Sequence, residues 1–344
     1  ILGSYLGFIV ATLLTGVMAD LLGNRGVLLL AAVCLCLGSM GLMLSDAYPA
    51  WVLFMGVLGL GLGAIEVGGN GLMVDLHAAA CARYLNLLAT FHGVGSLLVP
   101  LVAAWLLSSE LSWQRIYLSA LLVALALIAL LAAAGGGARV AAGEQTKWNW
   151  AAVLRLGFTL RMCWHYLLIG AYVAVELGLA AWLVEYLQQV RGVSLASSSW
   201  MLSGFFMMIM LGRLLGSFLV DRIPCLRLIG GALLGGGACL LGGILGPEPL
   251  VFLLPLAGLF FSIVFPTVTA VVSTLHQAHL GSILGLLFTF AGVGGALGPW
   301  TVGLVSDRWG LQIGLSSILG YCLLALLALV VVSHMERAAA RQAP

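Results

Sequence analysis

Charge is what this chain has least of. Asp, Glu, Lys and Arg together make up 8% of its 344 residues, where a soluble domain carries about 25%. That scarcity excludes an ordinary water-soluble globular protein. The formal net charge of +2 is too small and too scattered for a nucleic-acid binder. The 46 glycines follow no G-X-Y period, so collagen is excluded as well. No HExxH zinc motif is present, and no serine–histidine pair has convincing context, which argues against an intramembrane enzyme. The seven cysteines lie singly in or beside apolar runs. Cys34 and Cys36 point to nearly opposite helix faces, so neither a disulfide framework nor a metal site is expected, and no cofactor is implied. There is no sizeable soluble segment of the kind a receptor would use to bind ligand or signal. What remains is apolar: 62% hydrophobic residues and a mean hydropathy of +1.17. The composition is that of an all-α integral membrane protein.

Eleven hydrophobic spans of about 18–26 residues can be read, the length a bilayer requires. Their centres fall near Ile9, Ala32, Gly61, Leu97, Leu122, Ala174, Ile209, Gly235, Gly258, Gly292 and Leu323. Connections are short and polar except one, 134–161, which separates an N-terminal half at 1–133 from a C-terminal half at 162–335, with a tail at 336–344. This connection holds Arg139, Lys147, Arg155 and Arg161, with Trp148 and Trp150 as interfacial anchors. If the 20–26 loop is cytoplasmic, Arg25, Arg83, those four cations, Arg222, Arg227, Arg337 and Arg341 lie inside. Only Arg115, Arg191 and Arg308 lie outside, and ten against three is a clear positive-inside bias. The expected location is therefore the plasma or inner cell membrane, multi-pass, with the C-terminus cytoplasmic. The chain opens with Ile1 already in apolar sequence, and a preceding helix is expected, making twelve in all.

An internal repeat relates the two halves. Phe91-His-Gly-Val-Gly-Ser-Leu-Leu-Val-Pro100 matches Phe290-Ala-Gly-Val-Gly-Gly-Ala-Leu-Gly-Pro299 with six identities at an offset of 199. Near the same offset, Gly16-Val-Met-Ala-Asp20 parallels Ser217-Phe-Leu-Val-Asp221. Two homologous halves imply a pseudo-twofold axis along the membrane normal, a plan on which alternating-access transporters rock. The first half shows five spans and the second six, consistent with the expected extra helix.

Glu66 is the residue that stands out. It sits inside the apolar run 52–72, where an ionised carboxyl costs about 2.5–3.5 kcal/mol even on a lenient insertion scale. Asn70 follows one turn later, and Gly63 and Gly59 precede on the same face. Glu66 is either a structural carboxyl bonded to a neighbouring helix or a group that takes up and releases a proton. Asn70 serves equally as interhelical glue or as a substrate contact. Tyr172 and Glu176, one turn apart, place a second carboxyl in mid-span, where it can partner Glu66 or His92 or bind a solute hydroxyl. His92, in an apolar span, either fills a hydrogen bond or shares the proton. Trp182 and Tyr186 share a face that reads as an interfacial belt or as a stacking platform for a sugar. Asp20, Arg25, Asp221 and Arg222 read as gate residues whose charge pairs form in one conformation and break in the other. Arg213 snorkels to the surface or joins them. Pro100, Pro266 and Pro299 mark expected kinks. Phe265 and Thr269 take the positions equivalent to Glu66 and Asn70, so the second copy lacks this carboxyl.

These motifs resemble the major facilitator superfamily. Gly16-Val-Met-Ala-Asp20-Leu-Leu-Gly23-Asn-Arg25 is similar to its loop between helices two and three, with Asn24 in place of the first basic residue. Gly212-Arg213 with Asp221-Arg222 resembles the second-half copy. A narrower resemblance is to the fucose permease branch of sugar:proton symporters. It is carried by Ile65-Glu66-Val67-Gly68-Gly69-Asn70 and by Arg83-Tyr-Leu-Asn86-Leu-Leu-Ala-Thr-Phe91-His92-Gly93. Gly71 stands where that branch has proline, and His92 where it has asparagine. The resemblance implies a two-half bundle with about eleven of twelve transmembrane helices visible, and Glu66 as the proton-coupling residue. His92 then corresponds to a position at the central cavity.

Together these readings predict a secondary active transporter, monomeric in the bilayer, carrying a small polar solute by proton symport. Glu66, Glu176 and His92 are the proton-coupling candidates. Asn70, His92, Tyr172, Glu176, Trp182 and Tyr186 are the substrate candidates. Sugar is the cargo the resemblance favours. The rival readings are a proton-coupled exporter of drugs or metabolites, a sodium-coupled sugar carrier and, from another class, a non-transporting membrane receptor.

Overall fold

The computed structural model describes residues 2–108, 116–133, 150–275 and 279–342. Arg115, Arg139, Lys147 and Trp148 of the sequence reading lie outside the described residues. Every long helix falls where an apolar run was read. In chain order these are α1 (Leu2–Leu22), α2 (Asn24–Leu44), α3 (Tyr48–Leu76), α4 (Cys81–Ser108), α5 (Ile116–Ala133), a short α6 (Trp150–Gly157), α7 (Leu160–Gln189), α8 (Leu195–Leu219) and α9 (Cys225–Leu245). They are followed by α10 (Leu253–Phe261), α11 (Val264–Leu275), α12 (Leu280–Trp309) and α13 (Leu311–Gln342). Among the described residues no strand occurs, and nine segments are long and apolar enough to cross a membrane, with a shorter apolar helix at Leu6–Leu22. Residues 336–342 are part of α13.

The chain divides into two compact units. The first takes residues 1–79, 98–157 and 273–289; the second takes 80–97, 158–272 and 290–344. Each unit thus borrows a segment from the other half of the sequence.

In the first unit α3 packs against both α1 and α2, and α2 against α5. Glycine makes the α1–α3 crossing possible. A Cβ on Gly63 would lie 2.6 Å from the Phe8 carbonyl oxygen, and one on Gly59 would overlap that of Ser4. Such backbone-to-backbone contact is how helices associate in lipid, where burying apolar surface against another helix gains little. Val27, Ala31, Ala32, Leu42, Ala64 and Val67 fill the core around it. By contrast, α5 buries only Ala124 among its described residues and leaves Leu122, Val123 and Leu130 exposed. A helix that is apolar all round with one buried position is suited to face lipid.

In the second unit α7 packs against α13 and α8, and it crosses the later part of α12 on glycine: a Cβ on Gly298 or Gly294 would overlap the backbone of Ala174 or Gly170. The glycines of the repeated Phe290–Pro299 segment are therefore a packing face. Thr159 and Ser194 cap α7 and α8, accepting from Met162 N and Ser197 N at 3.3 Å each.

The break between α10 and α11 has a direct cause. Pro266 has no N–H to give the carbonyl of Ser262 four residues back, and its ring crowds that carbonyl, so the helix is interrupted at residues 262–263. Pro299 lies within α12, which continues through it.

Candidate functional site

In α3 the i, i+4 spacing brings Glu66 and Asn70 together as read. The Asn70 amide donates to Glu66 Oε1 at 3.0 Å and to the Glu66 backbone carbonyl at 2.7 Å. Asn70 is buried and Glu66 half-buried. This amide turns a hydrogen onto the carboxylate, which stabilises it where water is scarce.

The second unit holds a larger polar cluster. The Tyr172 hydroxyl donates to Glu176 Oε2. Arg213 Nη2 lies 3.8 Å from Glu176 Oε1, with side chains 9% and 14% exposed. Tyr172 is fully enclosed, its ring tilted against Phe261 with centroids 6.3 Å apart. Arg213 also donates through Nη1 to the Ala89 carbonyl at 3.1 Å and through Nε to the Ser262 carbonyl at 3.4 Å. The latter is the oxygen that Pro266 leaves without its helical partner. An unpaired charge here would be expensive; together the two charges and three hydrogen-bond partners make the cluster tolerable. Arg213, placed with the gate residues on sequence grounds, is turned inward onto Glu176.

Asp20 and Asp221 sit in related contacts at the ends of their helices. Asp20 accepts from Gly281 N at 2.8 Å, from Ser282 N at 3.0 Å and from the Ser282 hydroxyl. Gly281 and Ser282 are the second and third residues of α12, the positions a capping side chain serves, and the carboxylate faces the positive end of the helix. Above it, α1 lies so close to α12 that a Cβ on Gly281 would sit 2.6 Å from the Gly16 carbonyl oxygen, and Thr12 Oγ1 meets Thr289 Oγ1 at 2.9 Å. Asp221 instead pairs with Arg83, the third residue of α4, at 3.5 Å, both side chains nearly half exposed. Arg83 and Ser282 are related by the repeat offset of 199, so each aspartate addresses the equivalent turn of the equivalent helix. Arg25 donates to the Leu131 carbonyl in the last turn of α5. Arg222 is exposed.

Three candidates lie apart from the Glu176 cluster. His92 is exposed on α4, its carbonyl accepting from Ser96 Oγ at 3.1 Å. Trp182 donates its indole N–H to the Pro299 carbonyl at 3.0 Å. Tyr186, read as an interfacial or stacking aromatic, has no exposed surface. Its hydroxyl donates to the Ile244 carbonyl at 3.0 Å and accepts from Arg191 Nε at 2.9 Å. Arg191, read only as an outer-loop charge, goes on to the carbonyls of Gly243, Ile244 and Gly246. It satisfies the last turn of α9, whose carbonyls have no helical partners. The sequence gives one hint of this clamp: an arginine just past α7 and a glycine-rich end to α9.

A sequence model described as the Major Facilitator Superfamily matches residues 1–299. The chain belongs to the major facilitator superfamily. A TsgA homolog from Serratia proteamaculans is 22% identical over 323 residues, covering 91% of this chain and 80% of that protein. A putative glucose/galactose transporter from Helicobacter pylori is 34% identical over 137 residues, covering 40% of this chain and 33% of that one. Among solved structures, the Escherichia coli fucose:proton symporter FucP superimposes with a TM-score of 0.79 at 18% identity, over 96% of this chain and 89% of the other. At that identity the likeness shows the fold. As a major facilitator protein this chain is a multi-pass helical membrane transporter and not an enzyme, and Glu66 and Glu176 lie on helices long and apolar enough to cross a membrane.

Proposed function

We propose that this chain is a secondary active transporter that moves a small polar solute, with a sugar as the favoured cargo, together with a proton. The observation that carries the reading is a carboxylate inside an apolar helix in each unit, Glu66 beside Asn70 and Glu176 beside Tyr172 and Arg213. Intramembrane ionisable groups mark ion and substrate pathways. Amide, phenol, carboxylate and guanidinium groups are also the partners that hydroxyl-rich cargo needs. The fold shared with a fucose:proton symporter and the partial similarity to a putative glucose/galactose transporter support the sugar.

In this reading Glu66 takes a proton from outside, which removes the cost of carrying a bare carboxylate through the closed state. Asn70 in the first unit, and Tyr172, Glu176 and His92 in the second, are the groups proposed to bind solute. The Asp20 and Asp221 contacts lie at the cytoplasmic end and release as the protein opens inward, where Glu66 gives up its proton. The test is to add a panel of sugars to de-energised cells expressing the protein while recording external pH. Alkalinisation with one sugar supports symport and names the cargo class. No pH change with any sugar, despite verified insertion, moves the reading to sodium coupling or export.

A further inference from the structure

We propose that Arg213 is a positioning residue that carries the state of Glu176 to the backbone of α4. Three observations support this. Glu176 holds Tyr172 through one oxygen, while the other lies 3.8 Å from Arg213, beyond hydrogen-bond length, so a closer partner at that oxygen competes directly with Arg213. Arg213 in turn joins three separate elements: Glu176 on α7, the freed Ser262 carbonyl at the α10–α11 break, and the Ala89 carbonyl on α4. At the next turn of this contact, a Cβ added at Gly93 would lie 3.0 Å from Met210 Cβ.

The third observation is the repeat. Arg213 lies eight residues before Asp221, as Thr12 lies eight before Asp20. Thr12 reaches α12 by a neutral hydroxyl pair with Thr289, whereas Arg213 reaches α4 with a full charge tied to a carboxylate. The same latch position is thus uncharged in one copy and keyed to an ionisable group in the other.

Among the described residues, the titratable groups in contact with Glu176 are Tyr172 and Arg213; the others on its own helix and on the helices of its unit lie further off. Tyr172 comes from its own helix and Arg213 is the only titratable residue of α8. Helices α10 and α11 have none, nor does α12 before Asp307. Helix α13, packed on α7, carries Tyr321, which is bonded to Thr301, and Cys322, His334, Glu336 and Arg337, of which Glu336 is paired with Arg161. Helix α4 contributes Tyr84 and the exposed His92, besides Cys81 and Arg83 near its start.

Neutralising Glu176, or engaging it with a ligand, therefore loosens Arg213 and with it the hold on α4. The inference depends neither on the cargo nor on proton coupling, so it stands or falls separately from the function proposed above. The experiment is hydrogen exchange of residues 82–97 in lipid nanodiscs, with α1–α3 as the folding control, in wild type, Glu176→Gln, Arg213→Gln, Arg213→Lys and the Glu176→Gln/Arg213→Gln double variant. Exchange in α4 is expected to rise several-fold in Glu176→Gln and in Arg213→Gln. It is expected to rise less in Arg213→Lys, whose single ammonium cannot span the three partners, and no further in the double variant than in Arg213→Gln. Wild-type exchange in Glu176→Gln overturns the proposal. So does a double variant that returns α4 to the wild-type rate, because Arg213 would then merely neutralise a buried carboxylate. Should the Arg213 variants fail to insert, Glu176→Gln alone decides, since it keeps Arg213 and the side-chain shape.

Discussion

Removing the Asp20 carboxylate releases the first turn of α12. The amides of Gly281 and Ser282 stand at the start of a helix, where no carbonyl of the preceding turn is available to them, so their protection rests on Asp20 at 2.8 and 3.0 Å. A capping side chain is worth about 0.5–2 kcal/mol, and an anion at an exposed helix N-terminus adds about 0.3–1 kcal/mol. Asp20 is exposed and its field is screened by salt, which keeps the second contribution at its low end. Asp20→Ala then costs about 1–2.5 kcal/mol, or about 5- to 70-fold in the opening equilibrium at roughly 1.4 kcal/mol per tenfold. Asp20→Asn keeps one acceptor oxygen and costs about 0.5–1 kcal/mol, or about 2- to 5-fold. Hydrogen exchange resolved at Gly281 and Ser282 measures both. Unchanged exchange at these two amides in a correctly inserted Asp20→Ala protein would falsify the capping role.

Other predictions follow from the packing. Gly59→Ala, whose Cβ overlaps the Ser4 backbone, destabilises the α1–α3 crossing by about 1–3 kcal/mol, whereas Gly69→Ala, with open space at its Cβ, leaves thermal stability unchanged; equal melting temperatures would contradict the close crossing. Arg191→Ala strips the carbonyls at the end of α9 of their donor and lowers the melting temperature, with Arg191→Lys between it and wild type because Lys lacks the fork; a wild-type melt in both removes the clamp. Exchanging the charges of Arg83 and Asp221, nearly half exposed, changes stability by less than about 1 kcal/mol. The single reversals disturb the α4–α8 contact, and the exchanged pair restores it, as exchange in α4 reports.

The bundle was readable because each long helix is a long apolar run, and that pattern survives without knowledge of what packs where. Glu66 and Asn70 were readable for a similar reason: an i, i+4 pair meets within its own helix. The α10–α11 interruption was legible in Pro266. Contacts between helices were not. Nothing in the spacing links Arg213 to Glu176, 37 positions earlier, because a tertiary ion pair leaves no period in the chain. Tyr186 followed the aromatic-belt pattern but is enclosed, because Arg191 and the end of α9 claim its hydroxyl. The repeat identified Asp20 and Asp221 as equivalents, yet their partners, a pair of backbone amides for one and Arg83 for the other, appeared only when the neighbouring helices were in place.

The most direct test of proton coupling is Glu66→Gln in proteoliposomes, once a transported solute has been found. Uphill uptake driven by a proton gradient is expected to be lost, with solute-for-solute counterflow retained, because the variant still binds cargo and changes conformation but cannot load the proton. Uphill uptake at the wild-type level in Glu66→Gln would contradict the assignment of Glu66 as the coupling carboxylate.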